Sequence, residues 1–577
     1  MTGGSRVLEQ RRRIAWLAAG FVGVGLVLLG SLAWWQLFPH DEIAGLYLAG
    51  GKQPNVIPAA RGNIFDATGH CLVATTVKYE MGMSPRLLSG AQKEKLTPVL
   101  AQILAKSAGE VAEILGSDAE YVAIQDKRSA DNLLGAEWSA AVGYRIEELE
   151  LPAFKVEAHL RRLCPDDALA ASVLGFVDLG GEAHYGLEEY YDTALRGVDG
   201  QWYGLSDSWG RQVLAILGGY RAARDGCNLV LTLDRNIQHA AETMLQQGIE
   251  QNGATGGNIV VLDPGTGAIL AMANHPTYHP EQYWRVDSAE QFINSAVSAL
   301  YEPGSVFKPM TLAAALEARV IRPSDSYDDR GEIIVGNQRI RNSDGKAHGH
   351  TTMTELLAYS RNVGAAHLAA LLGPTRFYEM IRKFGFSETT GVDLALEVPG
   401  IMRVPGNQYW HMSDMGTNAF GQGISVTPLQ VVAAYGAIAN DGLLMRPHLV
   451  SEIHDGDRVE VRKPFQVRRV VSTEVARQVT ELMADAVELG MEQAIVPGYR
   501  LAGKSGTSNI ASPEGYERTD IIATFAGFGP VPNPRFVILV KYDRPQVGDW
   551  GLEVAAPTFR NMAKFLLDYY VIAPALG

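Results

Sequence analysis

From Ile14 to Phe38 the chain reads IAWLAAGFVGVGLVLLGSLAWWQLF, without one charged residue, and no other stretch limits the possible folds so strongly. A helix rises about 1.5 Å per residue, so this run is long enough to cross a hydrocarbon layer of about 30 Å once. Arg11, Arg12 and Arg13 stand just before it, and His40, Asp41 and Glu42 just after. That asymmetry predicts a cytoplasmic N-terminus and places everything beyond Phe38 outside the plasma membrane. Trp16, Trp34 and Trp35 fall near the ends of the run, where interfacial aromatic rings are expected. A cleaved signal peptide is the competing reading. The run exceeds a signal h-region and no small-x-small cleavage site directly follows, so an uncleaved single-pass anchor is expected.

The rest of the 577 residues can form two or more domains with sizeable cores, and 47% hydrophobic with 20% charged content is ordinary globular composition. A net charge of −14 argues against nucleic acid as a partner. Cys71, Cys164 and Cys227 give neither a disulfide framework nor Cys-x-x-Cys metal spacing. Residues 39–225 are mixed in character, with a helical run near Glu94 to Leu115 and no evident catalytic cluster. At Gly226 the texture changes. Asn228 to Thr232 reads as a strand, Asp234 caps a helix, and Asn258–Leu262 and Ala268–Ala273 form a hairpin around Asp263-Pro-Gly-Thr-Gly267. Thr473 to Leu489 is an amphipathic helix, Ile521–Phe528 and Phe536–Lys541 are strands, and Ala556 to Tyr570 a closing helix. An α+β fold is predicted, an antiparallel sheet flanked by helices, with segments 1–13, 14–38, 39–225 and 226–577.

Within the last segment, Ser305-Val306-Phe307-Lys308 follows a Glu302-Pro303-Gly304 turn and leads into the apolar run Met310–Leu316. Residues three apart share a helix face, so the lysine amine can reach the serine hydroxyl and, if deprotonated, take its proton. Taken alone, the pair also reads as a capping serine and a solvated lysine. Ser343-Asp344-Gly345-Lys346 has the same spacing, but Asp-Gly in a polar segment predicts a turn.

Two further clusters give the first pair its weight. Ser360-Arg361-Asn362 is the only Ser-x-Asn in the chain, and Lys504-Ser505-Gly506 the only Lys-(Ser/Thr)-Gly, followed by Thr507. Ser-x-x-Lys, Ser-x-Asn and Lys-(Ser/Thr)-Gly in that order resemble the three-part signature of penicillin-binding proteins and serine β-lactamases. Acyl transfer needs a nucleophile, a base, a proton route to the leaving amine and a polarised carbonyl. Ser305 is the candidate nucleophile, and Lys308 its base, with a pKa lowered by burial and by Lys504. Ser360 would relay the proton, and Asn362 would hold Lys308 and a substrate amide. Lys504, Ser505 and Thr507 would bind a substrate carboxylate, with Gly506 letting substrate approach the strand. The backbone N–H groups of Ser305 and Thr507 would form the oxyanion hole.

The chain as a whole resembles the class B penicillin-binding proteins. Arg61-Gly-Asn-Ile-Phe-Asp66 with Gly69, Gly186-Leu-Glu188 with Gly197 and Gly200, and Leu231-Thr-Leu-Asp234 with Gln238 carry that likeness. So do Ala419 to Gln430 (AFGQGISVTPLQ) and Phe525-Ala-Gly-Phe-Gly-Pro530. Ser505 departs from the threonine of many members but keeps the hydroxyl. The resemblance implies a cytoplasmic tail, one membrane helix, an extended α+β pedestal over 39–225 and a transpeptidase domain of the penicillin-binding and serine β-lactamase-like fold over 226–577. It implies a D,D-transpeptidase that joins peptidoglycan stem peptides on lipid-linked precursor strands, is acylated by β-lactams and needs no metal or organic cofactor. No glycosyltransferase motif precedes the catalytic domain, so a multi-pass glycan polymerase of the shape, elongation, division and sporulation type is the implied partner. The Tyr301-Glu-Pro-Gly-Ser305 approach and the modest pedestal resemble division-type more than elongation-type members.

Four alternatives compete, one of them a catalytically silent scaffold in a wall-building complex, against which the complete motif set counts. Gly498-Tyr-Arg-Leu-Ala-Gly-Lys-Ser505 also fits the P-loop pattern, although Gly506-Thr-Ser-Asn-Ile does not read as a helix. A membrane-anchored β-lactamase shares the acylation chemistry but needs a second base for fast deacylation. A β-lactam sensor would need a cytoplasmic signalling part, and the segment ahead of the membrane helix is only 1–13.

Overall fold

The computed structural model describes residues 4–37, 55–124, 137–149, 151, 153–206, 212–512 and 515–574. Helix α1, Gly4–Leu37, contains the apolar run as far as Leu37, and Phe38 lies outside the described residues. No residue of its window Arg13–Trp34 is buried within the protein, as expected of a segment whose solvent is lipid. It is the one helix among the described residues long and apolar enough to span a membrane. His40, Asp41 and Glu42, on which the predicted orientation rests, lie outside the described residues, as do the side chains of Arg11, Arg12 and Trp35.

The chain divides into two compact units, and the division does not follow sequence order. One takes in Met1–Ala60, Tyr79–Ala158 and Gly197–Asp225; the other takes in Arg61–Lys78, His159–Arg196 and Gly226–Gly577. In the first, the helical run expected near Glu94–Leu115 is two helices, Gly90–Ile103 and Ala108–Gly116. The break has a local cause. Ala105 takes a left-handed φ of 51°, and Ser107 starts the second helix with a capping box to Glu110. Asn55–Ile57, Gly200–Ser206 and Gln212–Arg221 form a three-stranded antiparallel sheet in this unit.

The second unit is built on a five-stranded sheet of β1 (Gly256–Leu262), β2 (Ile269–His275), β3 (Ala502–Ser512), β4 (Gly515–Gly529) and β5 (Phe536–Asp543). Its order is β2-β1-β5-β4-β3 and every pairing is antiparallel. The helices used below are α2 (Arg235–Asn252), α3 (Lys308–Glu317), α4 (Met353–Ala358), α5 (Asn362–Leu372), α6 (Pro428–Ala439), α7 (Thr473–Gly490) and α8 (Ala556–Tyr569). The predicted hairpin, amphipathic helix and closing helix are β1–β2, α7 and α8. Asp234 caps α2 by accepting from Asn236 N and Ile237 N.

Side chains alternate across a strand, and β5 shows what lies on each face. Tyr542 meets Thr558 of α8 through its hydroxyl at 2.9 Å. Gly248 of α2 packs so close to that hydroxyl that a Cβ would come within 1.8 Å of it. The neighbouring Lys541 points the other way, its ammonium 5.4 Å from the centre of the Tyr301 ring. Helices α2 and α8 therefore cover one face, and the segment leading to Ser305 lies on the other. Phe525, Phe528 and Phe536 are fully buried, each contributing about 1.5–3 kcal/mol.

Two of the sequence segments that carried the family likeness meet in a buried ionic knot. Arg61 Nε donates to Glu188 Oε2 at 2.6 Å and Arg162 Nε to Glu188 Oε1 at 2.8 Å. Glu188 is buried, and both of its oxygens are paired, the condition under which a buried carboxylate is tolerated.

Candidate active site

Ser305 sits in a 3₁₀ turn, Gly304–Phe307, that runs directly into α3 at Lys308. In a 3₁₀ turn residues i and i+3 eclipse, which brings Ser305 Oγ to 3.0 Å from Lys308 Nζ. The predicted one-turn spacing is realised by the tighter kind of helix. The turn is gripped by the Ala419–Gln430 stretch. Gly304 (φ 58°) donates its N–H to Gly421 O at 3.1 Å, and a Cβ on Gly421 (φ 82°) would fall 2.2 Å from Gly304 O. Gly423 N donates to Glu302 Oε1, Tyr301 and Val426 exchange backbone bonds, and Thr311 Oγ1 donates to Ala419 O. Thr427 then caps α6, from which Tyr435 donates its hydroxyl to Val306 O at 2.8 Å. Sequence reasoning named this stretch only by likeness. Its signal was the pair Gly421 and Gly423 ahead of a Thr-Pro helix start, and its task is to hold the serine's backbone.

Lys308 has no exposed surface. Its Nζ lies 3.0 Å from Ser305 Oγ, 3.0 Å from Ser360 Oγ, 2.5 Å from Ser360 O and 2.8 Å from Asn362 Oδ1. An ammonium has three protons for these four oxygens, whereas a neutral amine has a lone pair to offer one of the hydroxyls. Burial pushes the Lys308 pKa well below its ordinary value, and the cations Lys504 and Arg361 push it the same way. Lys504, also without exposed surface, is lowered by burial to about 7, and its Nζ donates to Ser505 O at 2.9 Å. The predicted depression of Lys308 by burial and Lys504 is thus present, with Arg361 as an addition.

The other predicted residues converge on the same place. Thr352 and Glu355 form the capping box that starts α4, and Ser360 turns the chain between α4 and α5 with a left-handed φ of 60°. Asn362 is the first residue of α5 and donates from Nδ2 to Arg341 O at 3.3 Å. Ser505 and Thr507 of β3 line a cleft of about 550 Å³ together with Ser305, Ser360 and Asn362, while Tyr359, Phe420 and Trp550 add aromatic wall. Gly506, between them, faces the other way. A Cβ there would lie 2.9 Å from Pro303 O and from Val306 Cγ1. Its missing side chain makes room for the serine's own turn. Thr507 Oγ1 accepts from Gly551 N at 2.9 Å.

Ser343-Asp344-Gly345-Lys346 forms the predicted turn: Gly345 has φ 66° and donates to Asn342 O at 3.0 Å, and Lys346 is exposed. Ser343 and Asp344 nonetheless reach the cleft. The P-loop reading fails on geometry, because Lys504 lies inside strand β3, no helix starts there, and the 3₁₀ turn Glu492–Ala494 stands where a strand is required.

Residues 257–564 match the family model described as penicillin binding protein transpeptidase domain, and residues 56–231 match the penicillin-binding protein dimerisation domain. Penicillin-binding protein PbpB of Mycobacterium tuberculosis is 34% identical over 544 residues, 90% of this chain and 79% of that protein. Stage V sporulation protein D of Bacillus subtilis is 30% identical over 572 residues, 98% of this chain and 86% of that protein. The crystal structure of penicillin-binding protein 3 from Mycobacterium tuberculosis in complex with aztreonam superposes with a TM-score of 0.69 at 29% identity, covering 90% of this chain and 98% of that one. Both domain matches follow one another along a chain that opens with a single apolar helix. The chain belongs to the class B penicillin-binding proteins.

Proposed function

We propose that the chain is a peptidoglycan D,D-transpeptidase in which Ser305 forms the acyl-enzyme. The observation that carries this reading is the solvent-free amine of Lys308, in bonding distance of Ser305 Oγ, Ser360 Oγ and Asn362 Oδ1 at once. Neutral Lys308 takes the Ser305 proton as Oγ bonds to the carbonyl carbon of a D-Ala-D-Ala unit. The backbone N–H groups of Ser305 and Thr507 receive the developing oxyanion. The proton passes through Ser360 to the departing amine, and terminal D-Ala leaves. An amine of a second stem peptide then attacks the ester, returning the proton to Ser305 as the cross-link forms. Lys504 in its cationic form, with Ser505 and Thr507, holds the carboxylate of the donor peptide.

A β-lactam presents a comparable amide and carboxylate, so the same steps acylate Ser305; the relative bound to aztreonam supports this. A hydrolytic β-lactamase would need a free base for deacylation. Among the described residues Asp344 is the one acidic residue lining the cleft, and it is engaged by Arg361 and His348 at 2.8 Å each. Helix α1 anchors the protein in the plasma membrane with its N-terminus cytoplasmic, residues 39–225 being the pedestal segment and 226–577 the transpeptidase segment, although Arg61–Lys78 and His159–Arg196 of the former share a compact unit with the latter. Its work is septal wall synthesis beside a multi-pass glycan polymerase, a reading that rests on the family resemblance. Labelling the full chain with fluorescent penicillin decides the central point. One stable adduct on Ser305, absent in Ser305→Ala, is expected; labelling that survives this change sinks the proposal.

A further inference from the structure

Helix α5 starts at Asn362, yet its N-cap residue, Arg361, makes no side-chain capping bond. The first N–H groups of a helix need acceptors from elsewhere. Val363 N finds one on Asn342, donating to Oδ1 at 3.1 Å across 21 residues of sequence. Asn342 is itself buried and held from its other side: Nδ2 donates to both oxygens of buried Asp329, at 3.0 and 2.8 Å, and to Lys346 O at 3.1 Å. A planar amide anchored through its donors leaves Oδ1 one direction in which to point. Two neighbouring bonds follow the same path, Asn362 Nδ2 to Arg341 O at 3.3 Å and Arg361 to Asp344 Oδ2 at 2.8 Å. Arg361, Asn362 and Val363 are therefore tied to residues 341–344, which lead into the second Ser-x-x-Lys, Ser343–Lys346.

We infer that Asn342 is a positioning residue of this site: it caps α5 from another element, fixes Asn362 and, through Asn362 Oδ1, sets the amine of Lys308. The inference rests on the reading in which Lys308 activates Ser305. A misplacement of about 1 Å at reacting groups costs on the order of 100-fold in rate, so a borrowed cap two bonds removed from the chemistry has leverage.

The test measures acylation of the detergent-solubilised full chain by a fluorescent penicillin, separating noncovalent Kd from the acylation rate constant. Asn342→Ala is expected to lower the rate constant by about tenfold or more with Kd changed less than about twofold, the split that marks lost positioning. The exchanged pair Asp329→Asn with Asn342→Asp rebuilds the amide–carboxylate contact in reverse and keeps an oxygen for Val363 N. It should recover most of the rate. Wild-type acylation in Asn342→Ala overturns the inference, as does a folded exchanged pair that recovers nothing. Where Asn342→Ala fails to accumulate as folded protein, Asn342→Ser, which trims the amide and keeps a polar group, decides by the same criteria. If the wild-type chain gives no Ser305 adduct, the transpeptidase reading fails; if it does and the Asn342 variants match it, only this inference fails.

Discussion

Two segments of this chain share the pattern Ser-x-x-Lys and differ in everything the pattern omits. At Ser305 the backbone is a 3₁₀ turn clamped by Gly421 and Tyr435, and the lysine has no contact with water. At Ser343 the backbone is an Asp-Gly turn and the lysine is exposed. A desolvated ammonium beside other cations, as at Lys308, is driven toward the free amine. Reactivity thus belongs to burial and backbone support, and spacing only makes it possible.

The sharpest way to break this contrast is to remove each lysine. Lys308→Ala should lower the rate of penicillin acylation by about 10²–10⁴-fold, the usual worth of a positioned base, while Lys346→Ala stays within about twofold. Stopped-flow labelling of both variants measures it, and equal rates would erase the distinction. A pH series comes next. Lys308 must be neutral to accept a proton, so below its depressed pKa acylation should fall about tenfold per pH unit. Lys504 must be charged to hold a carboxylate, so noncovalent Kd should rise as pH passes upward through about 7. Ser343→Ala should leave both profiles unchanged; a displaced acid limb in that variant would assign it a part in the chemistry.

A smaller effect is expected at the support. Tyr435→Phe leaves the buried Val306 carbonyl without its donor, at a cost of about 1–3 kcal/mol in stability by denaturant melting. Acylation should slow several-fold; an unchanged melt and rate would show that the glycine contacts alone hold the serine. The equivalent change at the second segment, Lys346→Ala again, should leave the melting midpoint unmoved.

Much of the second unit was readable from local pattern because its signals are short-range. The Asp263–Gly267 turn, the Asp234 cap and the periodic face of α7 each depend on residues within a few positions of one another. Ser305, Lys308, Ser360, Asn362 and Lys504 were legible as a set through their order, and the structure brings all five together. What local pattern could not supply were contacts made across long stretches: the grip of Gly421 on Gly304, the cap that Asn342 lends to α5, and the direction in which Gly506 lacks a side chain. The break at Ala105 was missed for another reason, since a single left-handed alanine leaves the apolar spacing almost untouched.

The ionic knot of Arg61, Arg162 and Glu188 has a consequence for how such a protein can be divided or exchanged. The strand Asn228–Leu231 lies parallel to Ile64–Phe65, and the unit holding the cleft needs Arg61–Lys78 and His159–Arg196 as well as everything after Gly226. A fragment beginning at Gly226 would uncover Leu229 and Leu231, and a genetic crossover between Arg196 and Gly226 would separate a unit from two of its three pieces. The part that does the chemistry is inherited, and must be swapped or trimmed, as three lengths of sequence at once.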